Sequence, residues 1–159
     1  AVIHVMRGNN PHAVEEVADG YDTPAMCRIL RDRYGDRQSV VFPDASGGAR
    51  KSVNASETDI AILKSAGFIV RAPAKNPPVK DRVNAMNAMF CNGDGERRYF
   101  VNPYGCPTYA ECLEQQVWSA NGEPDKAGGK DHMNDAGGYF ISKEFPIIRR
   151  AAYSEPLRM

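Results

Sequence analysis

The sequence predicts an α/β layer fold. Short β-branched runs alternate with longer segments whose apolar side chains recur at helical spacing, the pattern of strands packed against helices. Gly and Pro punctuate nearly every junction between them. With 159 residues the chain has the size of one domain, and 42% hydrophobic with 25% charged residues is an ordinary globular composition.

Residues 1–7 (AVIHVMR) alternate and are β-branched, and 13–18 (AVEEVA) follow a Gly-Asn-Asn-Pro turn, so a hairpin opens the chain. Thr23 as N-cap and Pro24 in the first helical position begin a helix that Gly35 ends. Ser39 to Asp44 is a short apolar run of the kind that forms a buried central strand. A helix over 56–66 follows, with Ser56 as N-cap and Asp59 reaching back in a capping box. Residues 68–71 read as a second buried strand. The Pro-rich loop 74–78 leads to a helix over 79–91 with Val83, Met86, Asn87 and Phe90 on one face. Arg97 to Val101 reads as a strand, 107–118 as a helix and 121–130 as a polar loop. A last helix, 131–143, contains the pair Gly137-Gly138, which costs about 1 kcal/mol per residue relative to Ala unless a strand packs closely there. Residues 146 onward read as weakly structured.

Composition narrows the function. Lys plus Arg and Asp plus Glu are 20 each, so a nucleic-acid partner would need a local basic surface. Cys27, Cys91, Cys106 and Cys112 lack CxxC spacing and do not cluster with His4, His12 and His132, which argues for buried free thiols and against zinc. No apolar run approaches the roughly 20 residues that span a bilayer, and the start does not read as a signal peptide. It begins inside a strand-like segment without Met, as a piece of something longer would. No GxxxxGK[ST] is present, so no phosphate loop for ATP is expected.

Two acidic positions stand out. Asp44 ends an apolar strand and precedes the small residues Ala45-Ser46-Gly47-Gly48, and catalytic groups of α/β sheets collect at strand carboxyl ends. The alternative is a loop Asp that caps a turn. In Asp131-His132-Met133-Asn134-Asp135, helical spacing gathers two carboxylates and an imidazole near a helix start, a donor set suited to Mg²⁺ or Mn²⁺. Here the alternative is an N-cap and a solvated surface acid. Phosphodiester hydrolysis with two metals needs carboxylates converging from separate elements, usually three. The basic residues Arg50, Lys51, Lys75, Lys80, Arg82, Lys126 and Lys130 lie on or beside the same loops and are candidates for phosphate contact.

Phe42-Pro43-Asp44-Ala45-Ser46-Gly47, Asn76-Pro77, Val79-Lys80-Asp81-Arg82-Val83-Asn84-Ala85-Met86, Leu113-Glu114-Gln115-Gln116, Gly122-Glu123-Pro124-Asp125-Lys126 and Asp131 to Ala136 together resemble the nuclease part of tailed-phage terminase large subunits. The resemblance covers about residues 1–147 and leaves 148–159 as a tail. It implies an RNase H-like fold, a central mixed sheet flanked by helices. It also implies three metal-binding acids: one after the first strand, one at the end of a central strand and one on the last helix. Asp44 matches the second, Asp135 the third, and His132 the histidine three residues before it. Asp131 is an adjacent candidate ligand. The first acid lies on a strand preceding the 1–18 hairpin, so the chain is expected to lack that strand, and on its own to cut poorly or not at all.

The resemblance further implies two Mg²⁺ or Mn²⁺ ions and double-stranded, concatemeric viral DNA as substrate. Contacts with the phage portal and the terminase small subunit would come through the full-length protein, in the host bacterial cytoplasm and away from membranes. On this reading Asp44, Asp135 and His132 are catalytic, and Asp44, Asp135 and Asp131 hold metal. Lys51, Lys80, Arg82, Lys126 and Lys130 contact DNA. Two other readings remain open, a resolvase- or transposase-type nuclease of the same fold and a non-catalytic docking module of the packaging motor.

Overall fold

A computed structural model describes residues 1–48, 58–120, 122–126 and 128–147. The order is β1 (Val2–Arg7), β2 (Asn10–Glu16), α1 (Thr23–Tyr34), β3 (Val40–Val41), a 3₁₀ turn (Ala45–Gly48), α2 (Asp59–Ser65), β4 (Ile69–Val70), α3 (Val79–Phe90), β5 (Phe100–Val101), α4 (Pro107–Gln115) and α5 (Asp131–Glu144). Strands and helices alternate as the sequence pattern predicts. The expected single central sheet is instead two small sheets, a mixed one in the order β1-β2-β5 and a parallel pair β3-β4.

β1 and β2 form the expected hairpin, with a shorter turn. Arg7 pairs with Asn10, leaving Gly8 and Asn9 as a two-residue loop, and Gly8 takes φ +60, where a side chain is disfavoured. Asn10 and Pro11 thus belong to the strand, and Pro11 is fully buried. β2 also pairs in parallel with β5 through His12 and Ala13.

The helices stand where their periodicity puts them, but several caps differ. Asp22 caps α1, its carboxylate accepting from the Ala25 amide at 2.7 Å. Thr23 is the first helical residue, and its hydroxyl donates to Asp59 at 2.8 Å. Thr58 caps α2, accepting from the Ala61 amide at 3.2 Å, and Asp59, the first helical residue, makes the contact with α1. Ser56 lies outside the described residues. α4 ends at Gln115, three residues earlier than expected, and β5 contains only two of the five residues read as a strand.

The core sits between the three-stranded sheet and helices α3, α4 and α5. Ala13, Ala85, Met86, Met89, Tyr99, Cys106, Tyr109 and Ile141 form one buried cluster. The inward face of α3 carries Arg82, Ala85, Met86 and Met89, so Asn87, expected there, is exposed. Gly137 and Gly138 do face a close neighbour, though the neighbours are helices rather than a strand. A Cβ at Gly137 would overlap the Tyr109 hydroxyl of α4, and one at Gly138 would lie 2.8 Å from the Arg82 stem of α3. Three cysteines are buried free thiols as expected; Cys91 is exposed.

β3 and β4 depart furthest from expectation. Each has only two residues, and Val40 and Ile69 keep 38% and 42% of their surface, so neither strand is buried. Among the described residues, β1 and β3 each leave one edge without a neighbouring strand. Between them lies a cleft of about 930 Å³, bounded also by α1 and α5. An apolar strand reads as buried when sheet neighbours cover it, and here that space is open.

Candidate functional site

The cleft brings together residues that the sequence holds far apart. Asp44 enters it from the loop after β3, while His132, Asp135 and Tyr139 enter from successive turns of α5. On a helix, positions 132, 135 and 139 share one face, which is why a single helix presents all three.

Asp44 is held by three donors. Its Oδ1 accepts from the Ser46 amide at 2.6 Å and from Asn76 Nδ2 at 2.7 Å, and its Oδ2 accepts from the Tyr139 hydroxyl at 3.0 Å. Asn76 is fixed in turn because its own carbonyl oxygen accepts from the Ala45 amide at 2.8 Å. Burial pushes the Asp44 carboxyl upward, but the bonds from Asn76, Ser46 and Tyr139 outweigh it and hold the group down at about 2. Asp44 is therefore an anion across the physiological range. The bond from Ser46 is the turn-capping role left open as the alternative for a loop Asp. The bonds from Asn76 and Tyr139 are additional to it and come from other elements.

Asp135 has a different environment. Burial raises its carboxyl above the usual range, opposed chiefly by the Arg82 guanidinium, which is ion-paired to Oδ1. Arg82 is 3% exposed, and its guanidinium also lies 4.7 Å from the centre of the Tyr139 ring. The missing side chain of Gly138 leaves room for the arginine stem to pass. Arg82 thus faces the interior instead of the surface position from which it was expected to meet DNA. A connected set results: Arg82 grips Asp135 and stacks on Tyr139, and Tyr139 grips Asp44.

The other expected site residues are spread more widely. Asp131 is buried in the first turn of α5 and His132 is exposed on the cleft. Lys80 and Lys126 are exposed, and Lys126 is close enough to act on the Asp135 carboxyl. Lys130 is ion-paired with Glu111. Arg50 and Lys51 lie outside the described residues. Sequence reasoning did not assign roles to Asn76 and Tyr139. Asn76 stood beside a proline in a motif, and Tyr139 on an apolar helical stripe, and neither context signals a carboxylate partner 32 or 95 residues away.

Carboxylate and imidazole donors suit a hard divalent cation such as Mg²⁺ or Mn²⁺, so the cleft residues fit such an ion in chemistry. They fall short in number, since no group of three or more His, Cys, Asp or Glu is gathered closely enough to hold a metal among the described residues. No described helix is long and apolar enough to cross a membrane.

Comparison with known proteins agrees with the resemblance read from the motifs. The family model described as terminase RNaseH-like domain matches residues 1–144. No curated protein and no solved structure matches the chain. The matched span contains Asp44 and Asp135, the hairpin and the five helices of the described residues, and the chain belongs to the terminase RNaseH-like domain family.

Proposed function

We propose that this domain is a metal-dependent endonuclease that cuts concatemeric double-stranded viral DNA during genome packaging. The observation that carries this reading is the meeting of Asp44 and Asp135 at one cleft, joined through Tyr139 and Arg82. Asp44 and Asp135 would hold Mg²⁺ or Mn²⁺, with Asp131 and His132 the nearest further donors. Two such ions, when bound, activate a water and stabilise the leaving oxygen of a phosphodiester.

The chain's own residues prepare that chemistry. Asn76, Ser46 and Tyr139 keep Asp44 ionised and aimed. His132, exposed at the cleft, would touch a scissile phosphate or orient Asp135. Exposed Lys80 and Lys126, with Lys51 and Lys130, would meet phosphates, which gives affinity with little base preference. Arg82 is buried and is removed from that set. The strand carrying the first acid of the family would lie in the cleft, pairing with the open edges of β1 and β3. The portal, the terminase small subunit and the host cytoplasm belong to this reading as the setting of the full-length protein.

Plasmid nicking with Mn²⁺, measured on the domain extended to include that strand, tests the reading. Asp44→Ala and Asp135→Ala should each reduce cleavage at least about a hundredfold while the circular dichroism spectrum stays unchanged. Retained cleavage by the double variant would sink it. The short donor set among the described residues favours one alternative, a docking module of the packaging motor. That alternative predicts portal binding with no cleavage even by the extended domain.

A further inference from the structure

We propose that Arg82 is an internal cation that competes with divalent metal for Asp135, so that this half of the site is held closed by its own counter-ion. The inference rests on the metal-site reading above and adds a regulation to it.

The two acids are satisfied in different ways. Every donor on Asp44 is a neutral group: an amide N–H, an Asn side chain and a Tyr hydroxyl. Neutral dipoles order a carboxylate without cancelling its charge, so a cation arriving at Asp44 meets a full anion. Asp135 is bonded instead to a guanidinium, which carries a permanent charge. A metal ion at Asp135 must share the carboxylate with that charge or displace it.

Displacement is resisted on three sides. The arginine is buried, its stem lies over Gly138, and its head stacks on Tyr139. These contacts hold the guanidinium in place, and moving it would leave a buried charge without its partner. Sharing is opposed by repulsion between a unit charge and a divalent ion on one carboxylate, which the water reaching the part-exposed Asp135 side chain reduces without cancelling. Better orientation of one carboxylate does not return as much. Metal should therefore load first at Asp44 and only weakly at Asp135.

Asp135 borders two openings, the cleft and a smaller pocket of about 130 Å³ that Arg82 lines together with Gln116, Trp118 and Asn134. A guanidinium displaced from Asp135 has this polar space to enter. There Asn134 Oδ1 is a buried acceptor with no hydrogen-bond partner. The pocket that Arg82 lines thus also contains the residue that carries a vacant acceptor.

The test is Mn²⁺ binding by the chain without DNA, read from the electron paramagnetic resonance signal of free Mn²⁺. Arg82→Gln should tighten binding about tenfold or more, Arg82→Lys should stay near wild type because it keeps the charge, and Asp135→Asn added to Arg82→Gln should erase the gain. Unchanged or weaker binding by Arg82→Gln, with loss of binding in Asp44→Asn and Asp135→Asn, overturns the competition and leaves the metal site standing. Wild-type binding in those two Asn variants overturns the metal site itself. Arg82→Met, which keeps the apolar stem over Gly138, replaces Arg82→Gln if the latter does not fold. In the wild-type chain the Arg82 Nε resonance should move on Mg²⁺ titration, and a resonance indifferent to saturating Mg²⁺ would also overturn the proposal.

Discussion

On one side of the cleft, the β1-β2-β5 sheet and helices α3, α4 and α5 enclose Ala13, Cys106, Tyr109 and Ile141 with no exposure at all. On the other side, β3, β4, α1 and α2 bury Cys27, Leu30 and Leu63, each of which keeps 6–8% of its surface. Asp135 belongs to the first region and Asp44 to the second. One acid is therefore fixed by a closely packed core, and the other depends on local bonds and on what reaches across the cleft. The contacts that make that crossing include the Tyr139–Asp44 hydrogen bond, the Phe42–Phe140 edge-on ring pair at 5.1 Å, the Arg71–Glu144 ion pair at 3.0 Å, and the bonds of Arg33 and Tyr34 to Glu15. A site split in this way can have one half rigid and the other adjustable.

The largest expected effect tests the packing difference itself. Ile141→Ala should cost about 4 kcal/mol in urea unfolding, near the upper end for a buried aliphatic truncation, because its surroundings are too tightly packed to collapse. Leu63→Ala on the other side should cost about 2 kcal/mol, because the open cleft already borders it. Equal losses at the two positions would erase the contrast.

A smaller effect concerns Asp44. Asn76→Ala removes the strongest of the bonds that depress its carboxyl, so its titration midpoint should rise from about 2 toward the ordinary range, measured by carboxyl carbon NMR. The sign follows from the depression. Asp44 contributes stability that is present above its unfolded midpoint near 4 and is lost as pH falls through about 2. Discounted for solvent screening, that contribution is about 1 kcal/mol, and Asn76→Ala should flatten the acid limb of stability by a similar amount. An unmoved midpoint would mean that Ser46 and Tyr139 suffice.

The smallest effect is at the rim. Arg71→Ala breaks a solvent-exposed pair and should cost no more than about 0.5 kcal/mol. Its use is diagnostic, because faster amide exchange confined to β3 and β4 would show that even a weak crossing contact steadies the thinner side. Uniform exchange would assign that steadiness to Tyr139 and Phe140.

What the sequence made legible follows the range of the interactions. The hairpin and the helices are written in neighbouring residues: Gly8 at the turn, Pro24 at the start of α1, and apolar side chains at spacings of three and four. Asp44 and Asp135 were legible because strand ends and helix faces are local features, and the family pattern singled out both. Burial of β3 and β4 was not legible, since an apolar run specifies a preference for cover and not the presence of a neighbour. The caps failed for a related reason. Asp22 and Thr23 are both good caps, and Thr23 was taken up by Asp59, a partner 36 positions away. Arg82 is the clearest case. In sequence it is a cation beside a lysine at a helix start, and only the opening above Gly138 turns it inward.

The end of β2 has a consequence for the order of assembly. Glu16 is the last residue of that strand, and its two carboxylate oxygens accept from the Thr108 and Tyr109 amides at 2.9 and 2.8 Å. Those amides are among the unpaired donors at the start of α4, whose own N-cap, Cys106, makes no side-chain cap bond. A nine-residue helix is marginal alone in water, and this one obtains its starting cap from a residue 92 positions upstream. α4 is therefore a helix that must wait for a strand: until the hairpin is in place its first turn frays, and with it the surface on which Tyr109 meets Gly137 of α5.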